Sequence, residues 1–114
     1  MKLIIDRAKW LRGEDSWKSC LFRVEDRKMC CLGFLSLACG AVEAEITACP
    51  SPSSVCKQAL WPSGLLDEGG NNTLTCTSLM EVNDDPDPSL SDTEREAQLT
   101  YLFQQLNIEV EFTG

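Results

Sequence analysis

The sequence predicts a single small α+β domain, with short strands at both ends, a buried central helix and an amphipathic helix near the C-terminus. Three observations carry that prediction. A short strand-like segment at 2–6 is matched by strict apolar/polar alternation at 108–112, a nearly unbroken apolar run fills 29–40, and a capped helical stripe runs through 91–106.

The elements follow in chain order. Residues 2–6 read as a strand with Leu3 and Ile5 on one face, and Gly13 ends the segment after it in a turn. Cys20–Val24 reads as a second strand, closed by the charged turn Glu25-Asp26-Arg27-Lys28. Met29–Cys39, followed by Gly40, is apolar nearly all round, which marks a buried helix with a glycine just past its C-terminus. Gly33 inside it costs about 1 kcal/mol relative to Ala, so its presence points to close packing against another backbone. Residues 41–72 are irregular, broken by Pro50, Pro52, Pro62, Gly64, Gly69 and Gly70, with one short helix expected from about Ser53 to Leu60. Thr73–Val82 fits a strand through Leu74, Cys76, Met80 and Val82, and a helix through Cys76, Leu79 and Met80; the helix is preferred. Ser91-Asp92-Thr93-Glu94 is a capping box, and Leu99, Leu102, Phe103 and Leu106 follow at helical spacing. Asn107 ends that helix. Ile108, Val110 and Phe112 then alternate with Glu109 and Glu111 as a half-buried strand, placed beside the first with the helices on one face.

A length of 114 residues fits one core, so residues 1–114 are read as one domain. No run of about 18 apolar residues is available to span a membrane, and the N-terminus lacks the apolar length and cleavage site of a signal peptide. Seven cysteines raise a disulfide framework, but the number is odd and Cys30, Cys31 and Cys39 sit inside the apolar run. Free, buried thiols and a cytoplasmic location are therefore expected. With no C-x-x-C pair and no His, structural zinc is disfavoured.

The net charge of −8 is unevenly spread: residues 1–28 carry +3 and residues 29–114 carry −11. Such an acidic chain repels nucleic-acid phosphates, so broad DNA or RNA binding is not expected. A small anion held by the N-terminal segment and a basic protein facing the acidic remainder both stay open.

Several segments recur together as a recognisable set. They are Ile5-Asp6-Arg7-x-Lys9-Trp10-Leu11-Arg12-Gly13-Glu14, Met29-Cys30-Cys31-Leu32-Gly33-Phe34, Ala38-Cys39-Gly40, Leu79-Met80-x-x-Asn83-Asp84, Glu94-Arg95-Glu96, Leu102-Phe103 and Ile108-x-Val110-Glu111-Phe112. The set resembles an uncharacterised family of small bacteriophage and prophage proteins, over both ends of the chain and not over 41–72. The resemblance implies a cytosolic phage accessory protein of the kind that binds and disables a host component, immune systems and their nucleotide signals included. It carries no activity, cofactor or partner.

Two constellations are candidate sites. Arg7, Lys9 and Arg12 flank Trp10: guanidinium groups chelate phosphate, and an indole offers a face to a base. The competing account is a solvated charged edge with Trp10 in the core; as a strand, the segment would need a bend to converge. The second constellation runs from Asn83 through Asp84, Asp85 and Asp87 to Glu94. Its oxygen-bearing residues follow EF-hand spacing from Asn83, but Pro88 occupies the position that needs glycine. The remaining accounts are a helix-to-helix linker and an acidic docking surface for a basic partner. Trp17 and Trp61 lie in expected loops and could anchor a contact.

Without His, a P-loop or a G-x-G-x-x-G, catalysis has little to stand on, and no catalytic residue, metal ligand or cofactor is assigned. The leading expectation is a non-catalytic phage protein that inhibits a host process. It would sequester a nucleotide immune signal with Arg7, Lys9, Trp10 and Arg12. The alternative is a direct inhibitor of a host defence protein, with an acidic, DNA-mimic-like or anti-CRISPR-like surface formed by Trp61, Asn83, Asp84, Asp85 and Asp87. A calcium- or metal-binding module is the third reading, and self-association is left open.

Overall fold

Strands β1 (Lys2–Asp6) and β2 (Glu109–Thr113) form a two-stranded parallel sheet, with Lys2 opposite Glu109 and Asp6 opposite Thr113. The computed structural model describes residues 1–15, 18–55 and 61–114. Alternation along β1 turns Leu3 and Ile5 into the core and leaves Ile4 exposed on the other face. Parallel strands need a crossover, and four helices among the described residues lie within it: α1 (Cys31–Ala38), α2 (Glu43–Ile46), α3 (Leu74–Asp84) and α4 (Asp92–Gln104). Helix α1 packs on β1, α4 packs on β2, and α3 lies against both α1 and α4. The domain is α+β, with one core formed around Leu3, Ile5, Trp10, Leu32, Leu35, Leu79, Leu99 and Phe103. No helix among the described residues is long and apolar enough to cross a membrane.

The central helix is shorter than its apolar run, because Met29 and Cys30 enter it in extended conformation. It ends in a Schellman motif. Gly40 adopts φ 105°, its N–H donates to Leu37 O at 3.1 Å, and the Ala41 N–H reaches Ser36 O at 3.0 Å. Helix α3 takes the preferred reading of its segment, with the Thr73 hydroxyl accepting from the Cys76 N–H, and it continues to Asp84. The Ser91 hydroxyl caps α4 by accepting from the Glu94 N–H at 3.1 Å, and Asn107 turns the chain out with φ 59°.

Three expectations change. Cys20–Val24 is not a strand: among the described residues Phe22 makes a single bridge, to Thr47, and Arg23 a single bridge, to Lys28. The chain turns away on both sides, at Arg27 and Ala48, each with φ 59°, before a ladder can extend. After Asp6 the chain makes a 3-10 turn at Arg7–Lys9, capped by the Asp6 carboxylate, instead of continuing as a strand. The helix expected from Ser53 to Leu60 begins as a 3-10 turn at Pro52–Ser54, and its second half lies outside the described residues. The irregular stretch is nonetheless pinned to the core by the fully buried Ile46, Val55 and Leu65.

Gly33 has the packing its position implied. A Cβ there would overlap the Leu21 carbonyl oxygen and approach Met29 Cβ to 2.8 Å. Gly33→Ala is therefore expected to lower unfolding free energy by about 2 kcal/mol despite its better helix propensity, because backbone must shift. Urea unfolding measures this; an unchanged or raised midpoint would refute the close approach.

Candidate docking site on the acidic face

The N-terminal cations do not converge into an open anion site. Arg7 donates from Nε and Nη2 to the two oxygens of Glu96, both at 2.8 Å. Arg12 does the same to Asp92 at 3.1 and 3.0 Å, and its guanidinium lies 4.5 Å from the Trp10 ring centroid. Asp92 and Glu96 sit one turn apart on α4, so the helix presents both carboxylates to the segment after β1. The Glu96 hydrogen bond raises the Arg7 pKa, and the Arg12 hydrogen bond lowers that of Asp92. A phosphate would have to displace two bidentate carboxylates.

Trp10 is a core residue, 2% exposed, with its ring 5.0 Å from that of Phe112. Its indole is not offered to a ligand base. Lys9 alone of the four is exposed without an ion pair among the described residues. The assignment of Arg7, Lys9, Trp10 and Arg12 to a ligand site is corrected accordingly: the arginines tie the chain to α4, and Trp10 fills the core.

Asn83 is likewise no surface residue. It is fully buried, and its Oδ1 accepts from Trp10 Nε1 and from the Cys31 N–H, both at 2.9 Å. Its Nδ2 donates to Leu11 O at 2.9 Å and to Asp84 Oδ1 at 3.0 Å. Cys31 opens α1, whose N-cap offers no side-chain acceptor, so Asn83 caps α1 from a different helix. The carboxamide that EF-hand spacing places first in a calcium loop is thus occupied inside the core.

Arg95, 4% exposed, donates to the Val82 and Asn83 carbonyls at 2.7 and 3.1 Å, neutralising the C-terminal end of α3 with a cation. Neither Asn83 nor Arg95 as a buried polar anchor was expected from the sequence. Both lie on helical stripes: Cys76, Leu79, Asn83 on α3 and Arg95, Leu99, Phe103 on α4 are all buried.

The acidic residues do gather. Asp15, Glu81, Asp84 and Asp85 line a cleft of about 640 Å³ together with Pro50, Met80 and Pro86. Among the described residues no Lys or Arg lines it. Burial pushes the Asp84 carboxyl up, opposed by hydrogen bonds from Ser19 and Asn83 and by the charge of Arg95. Asp85 and Asp87 each cap a turn, Asp85 Oδ1 accepting from the Asp87 N–H and Asp87 Oδ1 from the Ser89 N–H. Beside this cleft, between α3 and α4, lies an apolar groove of about 470 Å³ lined by Val82, Ala97, Leu102 and the exposed Tyr101. Glu81 lines both.

No family model, curated protein or solved structure matches this chain.

Trp61 is half-buried against the core and lines a separate cleft with Asp67 and Glu68, sharing no residue with the acidic one. It does not join Asp84, Asp85 and Asp87 in one surface. Trp17 lies outside the described residues. Cys20, Cys30, Cys31, Cys39 and Cys76 are free thiols. Burial drives Cys30 and Cys76 to about 12 and Cys31 well up, so these three stay protonated at neutral pH.

Asn83→Ala leaves the Trp10 and Cys31 N–H groups without an acceptor in the core, and should cost about 3 kcal/mol by denaturant unfolding. The exposed Asp87→Ala should cost under about 1 kcal/mol; equal effects would contradict the anchoring role. Asp84 binds its proton more tightly folded than unfolded, so its contribution favours the fold at low pH and is lost as pH rises through the raised pKa. Asp84→Asn should therefore melt above the parent at pH 7, and the difference should close as pH falls toward the ordinary carboxylate range. A gap that widens on acidification would reverse the assignment.

Proposed function

We propose that the chain is a non-catalytic phage accessory protein that acts in the host cytoplasm by docking its α3–α4 face onto a basic host protein. The observation that carries this reading is the cleft of Asp15, Glu81, Asp84 and Asp85, which holds four carboxylates with no cation in its described lining and shares Glu81 with an apolar groove. The occupant that fits is an amphipathic helix with Lys or Arg on one flank and aliphatic side chains on the other. Its cations enter the cleft, and its apolar residues meet Val82, Leu102 and Tyr101. Inhibition then follows from masking a basic surface that the host protein uses for another ligand. Sequestration of a nucleotide signal is the weaker reading, since Arg7 and Arg12 already hold carboxylates.

The test uses a synthetic basic amphipathic helical peptide and a doubly neutralised variant, Glu81→Gln with Asp85→Asn. The carboxamide introduced at position 85 keeps an acceptor for the Asp87 N–H, so the fold should be retained and is checked by thermal melting. The parent should bind the peptide, more weakly as salt rises, and the variant roughly tenfold more weakly than the parent. In host lysate, a protein retained by the parent and lost by the variant identifies the target. Equal binding by parent and variant, or an affinity indifferent to salt, would sink the proposal.

A further inference from the structure

The hydrogen-bond phase of the sheet fixes which groups face outward. The Glu109 N–H donates to Met1 O at 3.0 Å, so in the parallel ladder Leu3 and Ile5 turn their N–H and C=O toward β2. Lys2 and Ile4 turn theirs away, as Asp6 does its N–H, while the Asp6 carbonyl, at the N-cap of the 3-10 turn, accepts within that turn; no strand pairs with that edge among the described residues. Ile4 and Lys2 are each about half exposed on the outer face. An edge with free backbone groups is a template for another strand.

We propose that this edge pairs with the same edge of a second copy of the chain, antiparallel and centred on Ile4. The segment Lys2-Leu3-Ile4-Ile5-Asp6 is charge-complementary to its own reverse. Centring on Ile4 sets Lys2 against Asp6 of the second copy, Ile4 against Ile4, and Asp6 against Lys2. Ile4 then falls at a mutually hydrogen-bonding position, as antiparallel pairing requires, and at each end the Asp6 N–H faces the Lys2 carbonyl of the other copy. The two side-chain contacts at the ends are attractive, and the exposed isoleucines cover each other. Edge β2 lacks this property: centred on Glu111, it would place like charges face to face. The product is a two-fold symmetric, four-stranded sheet in the order β2-β1-β1-β2, and no residue of β1 lines the acidic cleft.

Sedimentation equilibrium of the full chain tests the pairing. The parent should pass from 12.7 kDa to twice that mass as concentration rises. Lys2→Glu and Asp6→Lys should each weaken dimerisation roughly tenfold, because each sets like charges opposite. Mixing the two variants should restore it, since both end contacts across the axis then set a carboxylate against an ammonium group once more. Glu111→Gln removes the ion-pair partner of Lys2 within the sheet and should leave the dimer intact. Should Asp6→Lys fail to fold through loss of its turn cap, Lys2→Glu alone decides. A monomer at all concentrations, or a dimer unmoved by Lys2→Glu, overturns the proposal.

Discussion

One carboxamide joins most of this fold. Asn83 receives the indole N–H of Trp10 and the first free N–H of α1, and it donates to the chain at Leu11. Its own carbonyl takes the Gly13 N–H and a guanidinium N–H of Arg95. The start of α1, the end of α3, the first turn of α4 and the segment after β1 are thereby fixed at one buried point. Inside a core such bonds are strong, and any group left unmatched is costly, so the arrangement specifies one geometry. Two helix ends meet here, one needing acceptors and the other donors, and Asn83 with Arg95 satisfies both.

That constraint also governs where charge emerges. The basic segment of the chain is drawn against α4, where Arg7 and Arg12 are held by Glu96 and Asp92. Arg23 is held by Asp26 at 2.6 Å, with Glu14 at 3.8 Å, and Arg27 by Glu43. Much of the cationic charge is thus matched within the fold, while Asp15, Glu81, Asp84 and Asp85 face a shared space without a cation in its described lining. The uneven charge of the sequence becomes an uneven surface potential.

Local signals in the sequence were faithful where the local rule was decisive. The Ser91 cap, the stripe through Phe103, the Gly40 terminus and the alternation at the C-terminal end all specify elements through short-range chemistry. The role of Asn83 was not legible from its neighbours, because the following aspartates drew it into the pattern of an oxygen-rich loop. Its partners stand 73 and 52 positions away. The available clue was the spacing from Cys76 and Leu79, which puts Asn83 on the buried stripe once α3 runs past Val82. Similarly, basic residues around an indole read alike whether they await an anion or are already matched, and only the position of Asp92 and Glu96 on α4 distinguishes the two. The missing strand at Cys20–Val24 reflects left-handed turns at Arg27 and Ala48, conformations that neither residue type announces.

The parallel sheet joins Lys2 to Glu109, residues 107 positions apart. Closing so long a loop costs chain entropy before any contact rewards it, which is the signature of slow folding. During synthesis, the buried faces of Leu3 and Ile5 must wait for β2 to leave the ribosome. Until then the nascent chain displays an apolar strand with both edges bare, so its early life is the stage at which it is most exposed to aggregation and to chaperone capture.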